Sequence, residues 1–134
     1  MSAYYDLYQS PPDENGEASL LHARILPKGT IPADKFRELV HKATGFSPAI
    51  LDGTLQAITD ELYSWLADGW IVEVGELGFF SLSLKCDKTV TDKKDIRSPS
   101  VHFRNVNLRI GSKFRKRFQT MGLERKASPY EIGR

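Results

Sequence analysis

The stretch "RIGSKFRKRFQTMG", residues 109–122, sets Arg109, Lys113, Arg115, Lys116 and Arg117 around Phe114 and Phe118. Guanidinium and ammonium groups clustered in this way neutralise phosphates or other anions, and they do no acid–base work at neutral pH. Such a run is a solvated helix face, a membrane-surface helix or part of a nucleic-acid site. The charge along the chain bears on the choice. Residues 1–84 hold 5 Lys/Arg against 12 Asp/Glu, whereas residues 85–134 hold 14 against 5. The formal net charge of +2 thus conceals a basic C-terminal part, which points to a polyanionic partner. The alternative is that the acidic and basic parts neutralise one another across contacts between chains. A membrane-surface helix fits poorly, because Phe114, Phe118 and Met121 make a narrow apolar face better suited to core packing.

No other constellation carries chemistry. His22, His41, His102 and Cys86 lack the spacing of metal ligands, so no metal or cofactor is expected. No Ser/His/Asp or paired-carboxylate pattern is evident, and the expectation is a protein that is not an enzyme. "VGELGFF" (74–80) lacks the G-x-G-x-x-G spacing of a dinucleotide loop and is more simply a hairpin turn. The single cysteine excludes an internal disulfide and suits a reducing, cytoplasmic compartment. No apolar run approaches the ~20 residues of a membrane span. Residues 1–20 lack the basic start and apolar stretch of a signal peptide.

The elements that position the basic residues follow from periodicity. "YYDLYQ" (4–9) and "LLHARIL" (20–26) are strand-like runs around a polar loop, which predicts a ribbon. "ADKFRELVHKATG" (33–45) has helical spacing and stops at Gly45. "SPAILDGTLQAITDELYSWLADG" (47–69) is the clearest helix, with Ser47 as N-cap, Pro48 at the first position and Gly69 as the stop. Leu51, Leu55, Ile58, Leu62 and Trp65 form a stripe on it that is wider than one short helix partner would cover. "WIVEV" (70–74), "FFSLSLK" (79–85) and "VHFRNVNLRI" (101–110) alternate with period two, and the phase of the last slips, predicting a bulge near Arg104–Asn105. A helix over 112–121 with Ser112 as cap and a frayed tail from 126 complete the chain. The fold class is α+β in one domain, without internal repeats.

From Gly29 to Gly122 the chain resembles the bacterial histone-like HU family and its integration-host-factor relatives. The residues that carry the resemblance are "LVHKATGFSPAILDGTLQAITDELYSWLADGW", like the family's helical hairpin, "VEVGELGFFSLSL", like its strand–turn–strand signature, and "NLRIGSKFRKRF", like its return strand and closing helix. The extra residues 1–28 are similar to the start of the longer, N-terminally extended Bacteroides-type members. The resemblance implies an intertwined homodimer: a helical-hairpin base, a three-stranded sheet extended by a β-ribbon arm, a C-terminal helix, and an N-terminal β-ribbon extension. It divides the chain into 1–28, an HU-like DNA-binding domain over 29–122, and a flexible tail over 123–134.

On that resemblance the partner is double-stranded DNA, bound along its phosphates and minor groove with little sequence preference, as in a nucleoid-associated architectural protein. Lys85, Lys88, Lys93, Lys94 and Arg97 would line the arm, Arg104 and Arg109 the strand leading to the body, and Lys113, Arg115 and Lys116 the shoulder beside it. Leu51, Leu55, Ile58, Leu62, Trp65 and Phe80 would form the dimer interface, with a second HU-like chain as an alternative partner. The arm is shorter than the family's usual one, and its apex reads "TDKKD" where the family carries an Arg-Asn-Pro tip. Pro99, off the tip, is the candidate wedge for the minor groove. Asp87, Asp92 and Asp95 dilute the arm's charge. The alternative function is an HU-derived dimerisation or protein-interaction module in which DNA binding is weak or lost.

Overall fold

Ser47 and Pro48 open the longest helix as their chemistry requires. In the computed structural model, which describes residues 1–12, 14–16, 20–87, 92–93 and 100–126, Ser47 is extended and its side chain accepts the N–H of Ile50 at 3.2 Å. Helix α2 runs Pro48–Ala67 and ends where Gly69 takes a φ of 95°. Helix α1, Ala33–Thr44, stops at Gly45, whose φ is 76°. The corner between them is tied by His41 Nδ1 to the Phe46 carbonyl at 2.7 Å, and Arg37 reaches Asp52 of α2 at 2.8 Å.

The chain forms two compact units. One comprises residues 34–118 and the other residues 1–33 together with those from 119 onward. In the first, strands β3 (Val72–Val74), β4 (Gly78–Cys86) and β5 (Val101–Ile110) form an antiparallel sheet in that order. A single 3-10 turn, Gly75–Leu77, joins β3 to β4 where a tight turn is expected. Strand β3 is shorter than the sequence suggests, since Trp70 and Ile71 lie outside it. The expected bulge is present: Ser83 pairs with Asn105 and Leu84 with Phe103, which leaves Arg104 as the extra residue of β5. Helix α3, Ser112–Phe118, is three residues shorter than expected. Its first bond runs from Arg115 N–H to the carbonyl of Gly111 at 2.9 Å, so Ser112 lies inside the helix instead of capping it. Gly111 holds the cap position because its backbone approaches Glu76, where a Cβ would sit 2.8 Å from the Glu76 carbonyl oxygen. Arg117 of α3 also pairs with Glu76 at 2.7 Å.

In the second unit the expected ribbon forms, as β1 (Ser2–Gln9) antiparallel to β2 (Leu21–Leu26). The first part of the expected tail is instead a third strand, β6 (Gly122–Arg125), parallel to β1. Four residues carry too little pattern to predict this; the free edge of β1 supplies the partners. Residues 127–134 lie outside the described residues.

The exposed face of α1 yields a modest prediction. Glu38 sits between Lys42 at 3.0 Å and Lys35 at 3.6 Å. The hydrogen bond from Lys42, with the Lys35 charge behind it, holds the Glu38 carboxyl below its ordinary value. The contribution to α1 is therefore present above the ordinary carboxylate range and fades as pH falls through the lowered value. Solvent screening keeps it small. An NMR titration of the Glu38 side chain should show a lowered midpoint, and Lys42→Ala should move it up; an unmoved midpoint would refute the pairing.

Candidate nucleic-acid interface

Strands β4 and β5 pair from Gly78 with Ile110 to Cys86 with Val101, and residues opposite one another share a face. One face carries Phe80, Leu82 and Leu84 opposite Leu108, Val106 and Phe103. It lies toward α2 and, with Leu62 and Leu66, lines an open apolar groove of about 380 Å³. The other face carries Phe79, Ser81, Ser83 and Lys85 opposite Arg109, Asn107, Asn105 and His102. Hydrogen-bonding side chains thus occupy its middle and cations stand at both ends. The Arg109 guanidinium lies over the Phe79 ring, 4.8 Å from the centroid, so the ring holds it along the sheet. The Ser83 hydroxyl donates to the Asn105 carbonyl at 3.3 Å, and the Asn105 side-chain oxygen accepts the Val106 N–H at 2.9 Å, both beside the bulge.

The ribbon continues beyond the paired strands. Asp87 N–H donates to the Ser100 carbonyl at 2.9 Å, and the Asp87 carboxylate meets His102 Nε2 at 2.8 Å. Sequence reasoning counted Asp87 only as a diluting charge. The alternation of Asp87 with Lys85 across from His102 is the signal that it missed.

The expected site residues separate into three groups. Lys85 and Arg109 share the polar sheet face, and Arg104 is the bulged residue between them along β5. Lys113, Arg115 and Lys116 are exposed on α3, where Phe114 and Phe118 pair their rings at 5.1 Å. Lys93 is described and exposed, whereas Lys88, Lys94, Arg97 and Pro99 lie outside the described residues. Among the described residues, Lys85, Arg104, Arg109, Lys113, Arg115 and Lys116 make no ion pair, while Arg117 is bound to Glu76. The polar ladder Ser81, Ser83, Asn105 and Asn107 was not singled out from the sequence, although its alternation with apolar residues was visible there.

Of the expected interface residues, Leu51, Leu62 and Phe80 are half-buried and Leu55, Ile58 and Trp65 exposed. Trp65 meets Trp70 edge-on with centroids 6.3 Å apart.

A helical hairpin whose second helix faces a three-stranded antiparallel sheet, with a long two-stranded ribbon and a short closing helix, is an α+β domain of HU type; the chain also forms a second small sheet. The chain belongs to the HU-HIG family, described as an HU domain fused to a wHTH, Ig or glycine-rich motif, with the match covering residues 1–125. Its fold is similar to the crystal structure of a candidate DNA-binding protein from Bacteroides vulgatus ATCC 8482, with a TM-score of 0.68 at 10% identity. That likeness covers 92% of this chain and 48% of the other, so this chain spans about half the length of that protein. No curated protein sequence matches. Among the described residues, no helix is long and apolar enough to cross a membrane.

Proposed function

We propose that the protein is an architectural, largely sequence-independent binder of double-stranded DNA that acts in the nucleoid as a homodimer. The observation that carries this reading is the two-faced sheet: one face apolar against α2, the other polar with Lys85 and Arg109 at its ends and Arg104 at the bulge. Such a surface engages phosphates and groove edges and presents no recognition helix to the bases. The unpaired cations of α3 extend the positive surface within the same unit. The HU family membership and the fold of the Bacteroides vulgatus protein support the same partner. The arm residues Lys88, Lys93, Lys94 and Arg97 add to it in this reading. Leu51, Leu55, Ile58, Leu62, Trp65 and Phe80 meet the second subunit, which closes the apolar groove.

The test is the salt dependence of binding to random-sequence duplex. If two subunits together neutralise about six phosphates, log affinity should fall against log salt with a slope of roughly −5. Arg104→Ala with Arg109→Ala removes up to four of these contacts per dimer and should bring the slope to about −2, weakening all sequences alike. Absence of duplex binding even at low salt would transfer the function to the alternative, an HU-derived dimerisation or interaction module.

A further inference from the structure

The sheet β2–β1–β6 also has two unlike faces, and one of them is built from tyrosines and cations. In register, Tyr4, Asp6 and Tyr8 of β1 lie opposite Leu26, Arg24 and His22 of β2, and Tyr4 lies opposite Glu124 of β6. Asp6 is fully buried. The ammonium groups of Lys28 and Lys126 stand 4.4 Å and 4.0 Å from the Tyr4 ring centroid. The Arg24 guanidinium stands 5.6 Å from the Tyr8 centroid, and the His22 ring lies beside Tyr8 at 5.3 Å.

We propose that this face is a second nucleic-acid contact, for single strands, formed by Tyr4 and Tyr8 with Arg24, Lys28 and Lys126. Two ammonium groups converge on one ring, and none of the three cations makes an ion pair among the described residues. At exposed sites a cation over a ring contributes only about 0.5–1 kcal/mol, while the two like charges repel. A phosphate resolves that repulsion by drawing on both. On this face Arg24, Lys28 and Lys126 stand against two carboxylates in register among the described residues, the buried Asp6 and the exposed Glu124, so the balance of charge still favours an anion. Tyr4 and Tyr8 are four residues apart along one strand, roughly 13 Å. Each ring has a cation over it, so a single strand would draw those cations onto its phosphates and set its bases on the rings in their place. Stacking of this kind contributes about 1–3 kcal/mol per base and is indifferent to sequence. A duplex hides its base faces and cannot use the rings, which selects a single strand. The site belongs to residues 1–33 and 119 onward and is separate from the β4–β5 face assigned to duplex DNA.

Fluorescence anisotropy of the full chain with a labelled oligothymidylate of about 12 nucleotides, and with a random-sequence duplex, tests this. The wild-type protein should bind the oligothymidylate at low salt. Lys28→Ala with Lys126→Ala should weaken that binding at least tenfold and reduce the size of its salt slope by about 1.4. Glu124→Gln should tighten it, an effect that a merely structural role does not produce and that decides the case if the double lysine variant fails to fold. Arg104→Ala with Arg109→Ala should leave it within twofold of wild type, whatever happens to duplex binding. The proposal is overturned if wild type fails to bind the oligothymidylate, if the lysine variant binds it unchanged, or if the arginine variant loses it.

Discussion

Gly78→Ala should leave the protein without its native β4–β5 sheet. Gly78 opens β4 with a φ of 126° and a ψ of −154°, a conformation that L side chains rarely adopt. Its Cβ would be driven into the backbone carbonyl of Arg109 and lie 2.7 Å from both the nitrogen of Gly111 and the Cα of Ile110. All three obstacles are main chain, so no rotamer change relieves them. The same junction carries the bond from Gly111 N–H to the Leu77 carbonyl at 3.3 Å and the start of α3. Separating the strands there therefore loosens three elements together. A cost of at least about 4 kcal/mol is expected, a large share of a small domain's total stability. Gly75→Ala is the control. Its φ is 50° and nothing lies within 4 Å of the added carbon, so only the left-handed backbone penalty of about 1–2 kcal/mol applies. Urea unfolding followed by circular dichroism should show Gly75→Ala mildly shifted and Gly78→Ala largely unfolded in buffer. A Gly78→Ala midpoint close to wild type would refute the close approach.

The proposed homodimer leads to the second large effect. Among the described residues Leu66, 4% exposed, is the one apolar side chain fully buried within the chain. Leu55 is 64% exposed and Trp65 51%, both on the apolar stripe of α2, the helix the sequence marks most clearly. One fully buried leucine, with half-buried residues such as Leu62, Phe80 and Leu82 around it, leaves little to offset the conformational entropy of folding. In the proposed dimer a second copy seated on the stripe and groove supplies the further burial. Leu55→Glu should therefore separate the subunits and unfold them, because a carboxylate placed in a desolvated apolar interface without a partner costs several kcal/mol. Were the chain a stable monomer, the same substitution at an exposed helix position would fall within about 0.5 kcal/mol. Light scattering and thermal melts separate these outcomes. Wild type should scatter as a dimer and its melting temperature should rise with protein concentration, whereas Leu55→Glu should scatter as an unfolded monomer. A wild type that scatters as a folded monomer, with a melting temperature independent of concentration, would refute the dimer.

What the sequence by itself determined is the local structure. Ser47, Pro48 and Gly69 bound α2 because capping and backbone freedom act within a few residues. The change from helical spacing to alternation after Gly69 marks the passage into the sheet. The phase slip in "VHFRNVNLRI" puts the bulge near Arg104–Asn105, since a break in the period of two requires an extra residue there, and the strand register singles out Arg104. The concentration of cations after residue 84 was equally plain. What only the tertiary structure decided depends on residues far apart in the chain. Strand β6 exists because β1 offers it an edge, and its four residues carry no signal of their own. The polar ladder becomes one surface because the register sets Ser81 opposite Asn107 and Ser83 opposite Asn105. Lys28 and Lys126 meet on Tyr4 because β2 and β6, which flank β1 on its two sides, both end level with that residue or its neighbour. Register and strand order are properties of pairing between distant segments, and a one-dimensional pattern specifies the faces of each strand without specifying which strand lies beside it.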